Sequence, residues 1–210
     1  DDTLIIFTSD GGHLWGEHGL IDKRCAYEAS IRIPLLFHWP KAIKPGSICS
    51  AIATNIDVAP TLLALAGIPI PAEVDGSSLR KFLFEPGSVD ERPPFVYEYY
   101  WDPSFPHTPT TFAVRKERFK LIQYHGIWDT DELYDLEADP QENTNLIFEP
   151  AYKDRVEELR EILYQRLLQT RGLSIRLGRK RDHGQNLRSS TNSKRSSFPS
   201  HMISMPSEDR

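Results

Sequence analysis

The stretch Thr8–Lys23 reads TSDGGHLWGEHGLIDK, and no other part of the chain gathers as many chemically competent groups. It follows the apolar run Leu4–Phe7. A continuous apolar run is the pattern of a strand buried on both faces, as in parallel sheets. Ligands of such sheets collect outside the carboxyl ends of the strands, which is where Asp10 stands. A carboxylate there suits a hard cation with oxygen ligands, and Gly11 and Gly12 permit a sharp turn behind it. His13, His18 and Lys23 follow, and lysine suits an oxyanion as a mobile point charge. Taken singly, the same residues also describe a capping aspartate and surface histidines in a polar turn. A doubly buried strand needs neighbours on both sides, so the chain is expected to be the C-terminal part of something longer.

With 210 residues, 39% of them hydrophobic and 26% charged, the chain can bury one sizeable core and a small second subdomain. No window reaches the roughly 18–20 uninterrupted apolar residues of a membrane span, and the start does not resemble a signal peptide. The net charge of −5 is unevenly spread. From Leu173 onward there are eight Lys or Arg against three Asp or Glu, which leaves the first 172 residues at −10. The basic tail carries RLGRKR at residues 176–181 without an interleaved aromatic. It therefore reads as a solvated, disordered extension rather than a nucleic-acid site. Cys25 and Cys49 are too few for a disulfide framework and lack metal-ligand spacing.

Ile31–Lys41 (IRIPLLFHWPK) reads as a second strand ended by proline, and Asp57 as the cap of a helix through Ala66 that Gly67 terminates. Asp75-Gly76 reads as a turn before a short helix. From Pro93 the texture changes. PFVYEYYW, TTFAVRKERFKLIQYH and DELYDLEADP are aromatic or β-branched runs separated by turn residues, as in a small antiparallel sheet. Tyr152, Val156, Leu159, Leu163 and Leu167 step by three or four, which predicts an amphipathic helix over residues 151–170 packed on that sheet. The expected organisation is thus residues 1–92, residues 93–171 and a tail over 172–210.

Together, TSDGGHLWGEHGLIDKRCAYEASIRIPLLFHWP, NIDVAPTLLALAGIPIPAEVDGSSL and RKERFKLIQY…DELYDLEADPQENTNL resemble, in order, the conserved blocks of the sulfatases in the alkaline-phosphatase-like superfamily. The first block follows T-S-D-N-G-x-x-x-G-E-H-G-x-x-x-K-x-x-x-Y-E-x-x-x-R-x-P. The segment from Tyr97 to Leu136 is similar to the mucin-desulfating, N-acetylglucosamine-6-sulfatase-like members. The fold this implies is α/β: the C-terminal part of an alkaline-phosphatase-like sulfatase core, plus a small antiparallel α+β subdomain.

By position, the resemblance implies that Asp10 ligates the divalent cation, normally Ca2+. Lys23 would contact the sulfate, stabilising charge that develops on its oxygens. His18 becomes a candidate substrate-facing residue in the same loop, while Glu28 and Arg32 read as loop-holding and Asp57 and Asp75 as caps and turns. Trp101, His107 and Arg115, with Tyr97, Tyr99 and Tyr100, supply aromatic faces and polar tips suited to a sugar, the tyrosines reading also as one face of a sheet. The sequence departs from the family at two places. Gly11 stands where the family places Asn or His, which removes one donor and weakens the expected metal site. The formylglycine motif C-x-[PA]-x-R is absent: Cys25 is followed by AYEA and Cys49 by SAIA.

The nucleophile is therefore expected in a missing N-terminal part of the same enzyme, and this chain alone should not turn over. The expected partner is a sulfated glycan such as N-acetylglucosamine 6-sulfate, or another sulfate ester. That substrate class favours a periplasmic, lysosomal or secreted setting. A phosphodiester or phosphonate hydrolase of the same superfamily, and a non-catalytic binder of anionic glycans, are the alternatives.

Overall fold

The computed structural model describes residues 2–88, 92–102, 104–125, 130–170 and 172–173. The expected disordered basic tail lies outside these residues, apart from Gly172 and Leu173. Residues Asp1–Leu173 form one compact unit.

The opening strand β1 (Ile5–Thr8) leads into the ribbon β2 (Leu14–Trp15) and β3 (Ile21–Asp22), then a single helical turn α1 (Glu28–Ile31) and strand β4 (Leu35–His38). Strand β4 returns antiparallel to β1, with Ile5 opposite His38 and Thr8 opposite Leu35. The expectation of a doubly buried parallel strand is corrected here. Within the described residues β1 pairs only with β4, and Ile5 and Phe7 are 57% and 63% exposed. The expected strand over Ile31–Lys41 is shorter, because Ile31 completes α1 and Pro34 intervenes before β4 begins.

Helix α2 (Val58–Leu65) follows a 3-10 turn over Asn55–Asp57. Asp57 stands directly before α2 as expected, but its side chain makes no cap bond to that helix. Instead Thr54 N and Oγ1 both donate to Asp57 Oδ2 at 2.8 Å, a capping box at the start of the 3-10 turn. Asp57 is buried and also accepts from Ser77 N at 2.8 Å, so its role is structural. Gly67 ends the helix at φ 70, a conformation glycine adopts without steric cost. The turn falls at Ala72-Glu73, earlier than the expected Asp75-Gly76, and a bend at Gly76 then leads to α3 (Arg80–Phe84).

The second half is the antiparallel sheet β5 (Phe95–Tyr99), β6 (Thr111–Lys116), β7 (Phe119–Tyr124) and β8 (Glu132–Asp135), in sequential order. Helix α4 (Lys153–Thr170) packs on β6 and β7. Its buried stripe is Val156, Leu159, Leu163 and Leu167, the helical spacing that the sequence displays. Each such side chain contributes about 1.5–3 kcal/mol on burial. On the sheet's other side, Ala113, Ile122 and Tyr134 share a buried cluster with Ala26 and Tyr27. The polar N-terminal loop is thereby anchored to the C-terminal sheet.

Candidate active-site loop

The β2–β3 ribbon turns the chain back on itself. Leu14 lies opposite Asp22 and Trp15 opposite Ile21, and Trp15 N donates to Glu17 Oε2 at 2.5 Å. That bond holds the Glu17 carboxyl below the usual range. Lys23 follows the ribbon directly, and its Nζ lies 3.6 Å from Asp10 Oδ2. The two residues that the sequence separates by twelve others therefore meet as an ion pair. They open onto a cavity of about 1220 Å³ that Arg24, Glu28, Tyr99 and Arg115 also line.

Gly12, not Gly11, is the sterically required glycine. Its N–H donates to Ser30 O at 2.9 Å, and a Cβ there would run into the carbonyls of Ala29 and Ser30. A Cβ at Gly11 would meet only Lys23 Cδ, at an ordinary 3.8 Å.

Beyond Lys23 the loop is tied down by buried charge. Lys120 Nζ, fully buried on β7, donates to Ala26 O at 2.7 Å and to Glu28 Oε1 at 3.1 Å, and pairs with Glu142 Oε1 at 2.5 Å. Glu142 Oε2 accepts from Glu28 N at 2.6 Å. Burial pushes the Glu142 carboxyl up, against the lowering pull of Lys120. Arg115 NH1 also reaches Glu28, at 3.2 Å, so Glu28 holds the loop as its position suggests. A second anchor converges on Glu132: Tyr27 and Tyr124 donate to Oε1 at 2.9 and 3.0 Å, and Tyr134 donates to Oε2 at 2.8 Å. Burial raises the Tyr27 hydroxyl far above the ordinary tyrosine range and keeps it a donor.

Of the residues the sequence nominates, Asp10, Lys23, Tyr97, Tyr99 and Arg115 share the cavity, and Tyr100 does not line it. His18 lies outside its lining and stacks on the Tyr27 ring, centroids 3.8 Å apart and planes 6° from parallel. Trp101 and His107 are exposed and also outside the lining. Trp101 Nε1 donates to Pro106 O at 3.3 Å, within its own loop. Sequence reasoning passed over Arg24, Lys120, Glu132 and Glu142. The available signal was Lys120, set between apolar residues in Phe119–Ile122, since a charge there demands a buried partner.

Burial also pushes the Cys25 thiol up, which opposes thiolate chemistry and agrees with its reading as an ordinary cysteine. The donor set does not complete a divalent-cation site. Among the described residues no three His, Cys, Asp or Glu side chains come together, and the ammonium of Lys23 already faces Asp10. No described helix is long and apolar enough to cross a membrane.

The family model described as N-sulphoglucosamine sulphohydrolase, C-terminal, matches residues 16–169. An N-acetylglucosamine-6-O-sulfatase of Bacteroides thetaiotaomicron is 41% identical over 165 residues, 78% of this chain and 30% of that protein. An arylsulfatase of Clostridium perfringens is 33% identical over 172 residues, 80% of this chain and 34% of the relative. The chain thus spans about a third of the length of these relatives. A solved structure of a protein in complex with its substrate D-glucosamine-2-N,6-O-disulfate superposes with a TM-score of 0.75 at 38% identity, covering 82% of this chain and 35% of that one. The phosphonate monoester hydrolase of Agrobacterium radiobacter superposes with a TM-score of 0.64 at 27% identity, covering 81% and 35%. With a family model over most of its length and sulfatases among its relatives in sequence and structure, the chain belongs to the sulfatase family of the alkaline-phosphatase-like superfamily.

Proposed function

We propose that this chain is the C-terminal part of a sulfuric ester hydrolase acting on a sulfated amino sugar such as N-acetylglucosamine 6-sulfate. The observation that carries the reading is the placement of Lys23 beside Asp10 at the cavity, on a loop anchored from behind by buried charge. A cation held there stabilises charge developing on the sulfuryl oxygens and the leaving oxygen. Arg115, already oriented by Glu28, adds a second positive group at the same cavity. The identity to an N-acetylglucosamine-6-O-sulfatase supports the choice of sugar.

Asp10 would supply one carboxylate oxygen to a Ca2+ site, with the other donors coming from outside this chain. The formylglycine nucleophile would come from an N-terminal portion of the same enzyme. The exposed apolar side chains of Ile5, Phe7 and Leu36 on β1 and β4 support such a portion packing against this edge. In a chimera joining this chain to the N-terminal portion of the Bacteroides relative, sulfate release from N-acetylglucosamine 6-sulfate should fall by about 10²–10³ in Lys23→Ala. The chain alone should release none. Wild-type turnover in the variant would refute the role of Lys23. The likeness to a phosphonate monoester hydrolase favours phosphonate ester cleavage as the second reading, and a chimera that prefers phenyl phosphonate esters to sulfate esters would establish it.

A further inference from the structure

Three of the five non-glycine residues with positive φ among the described residues fall within 18–24, and two of them, Asp22 (φ 104) and Arg24 (φ 82), flank Lys23. L-residues adopt this region only where surrounding contacts impose it. The contacts here are specific. The Arg24 guanidinium pairs with Asp22 across Lys23, and its Cζ sits 3.3 Å above the centroid of the Phe105 ring. Phe105 is 81 residues away in sequence, in the connection between β5 and β6. That connection is itself fixed: Phe105 N donates to Asp102 O at 2.9 Å, Ser104 N to Asp102 Oδ1 at 2.7 Å, and Trp101 N to Thr110 Oγ1 at 2.8 Å.

We infer that Arg24, clamped between Asp22 and the Phe105 ring, is a positioning residue that holds the strained backbone around Lys23 and so aims its ammonium at Asp10. This deepens the sulfatase reading and rests on it for the purpose of Lys23, though not for the clamp. A guanidinium is suited to the task, being planar enough to lie on an aromatic face while its edge bonds a carboxylate. A lysine at position 24 would keep the charge but lose the stacking. The aromatic loop between β5 and β6 thereby acts on the site through Arg24, without lining the cavity with Trp101 or His107.

The test is zero-length carbodiimide coupling of the Asp10 carboxylate to the Lys23 amine in the full chain, quantified by mass spectrometry. An amide forms only while the two groups stay in contact, so the yield reports positioning without need of turnover. Phe105→Leu and Arg24→Lys should each lower the yield at least threefold, and Phe105→Tyr, which keeps the ring, should restore it. Wild-type yield in Phe105→Leu, or a Phe105→Tyr yield as low as that of the leucine variant, would overturn the clamp. Should Phe105→Leu lose its helical circular dichroism, Arg24→Lys decides alone, and an unchanged yield there is equally fatal. In the wild type, inorganic sulfate should protect Lys23 from acylation. Absence of protection alongside an intact coupling yield would count against the sulfate role of Lys23 and leave the clamp standing.

Discussion

Lys120 Nζ on β7 lies 3.1 Å from Glu28 Oε1 on α1, across 92 residues of sequence and with no exposure of the lysine side chain. A fully buried ammonium is tolerable only when its charge and protons are matched. Here the match comes from Glu28, Glu142 and the Ala26 carbonyl, all of which bear on the candidate active-site loop. Lys120→Met keeps the aliphatic volume but leaves Glu142 almost without exposure and without its counter-charge. The variant should lose about 3–5 kcal/mol of stability, measured by urea unfolding. A loss below about 1 kcal/mol would show that the carboxylates find other partners or water.

The junction of helix and sheet gives a pH test. Lys116 Nζ on β6 bonds Glu158 Oε1 on α4 at 2.6 Å. That bond first, and the nearby Arg155 charge after it, hold the Glu158 carboxyl below the usual range. A carboxyl lowered on folding contributes stability above its unfolded pKa, which is lost as pH falls through the folded value. The stability difference between the wild type and Glu158→Gln should therefore be present at pH 7 and shrink as pH drops below about 4.5, the ordinary glutamate value. Chemical denaturation at a series of pH values measures it. A difference constant with pH would mean that packing, not charge, is what the substitution disturbs.

The parts of the fold most legible in the sequence are those whose signal is local. The stripe of Val156, Leu159, Leu163 and Leu167 and the aromatic and β-branched runs of β5–β8 between turn residues carry their signal within a few residues, and the structure follows them. The box between Thr54 and Asp57 is equally local, yet the sequence points to Asp57 as the cap of α2, and its side chain turns back to Thr54 instead. Strand β1 fails for the opposite reason. An apolar run states that side chains are to be buried but not by what, and here Ile5 and Phe7 face outward beside an antiparallel partner. Within the site, the pairing of Asp10 with Lys23 follows from a short ribbon, whereas Arg24 on Phe105 and Lys120 under Glu28 join residues about eighty and ninety positions apart. Aspartate and histidine enter the positive-φ region more readily than most side chains, so His18 and Asp22 carry a weak signal of the strained loop, whereas Arg24 carries none.

The two glycines behind Asp10 separate conformation from chemistry. Gly12 approaches the carbonyls of Ala29 and Ser30 too closely for any side chain, so Gly12→Ala should cost about 1–3 kcal/mol through forced displacement of α1. Gly11 has room toward Lys23 Cδ and needs no positive φ, so Gly11→Asn should change stability by no more than about 0.5 kcal/mol. An asparagine oxygen beside Asp10 adds the donor that the family usually carries. In the chimera described above, Gly11→Asn should accordingly tighten Ca2+ binding in calorimetric titration. Thermal unfolding of both variants separates the steric claim from the chemical one. A Gly11→Asn variant that unfolds as readily as Gly12→Ala would show that both glycines serve the turn. A stable Gly11→Asn variant with unchanged Ca2+ affinity would show that the asparagine oxygen does not reach the ion.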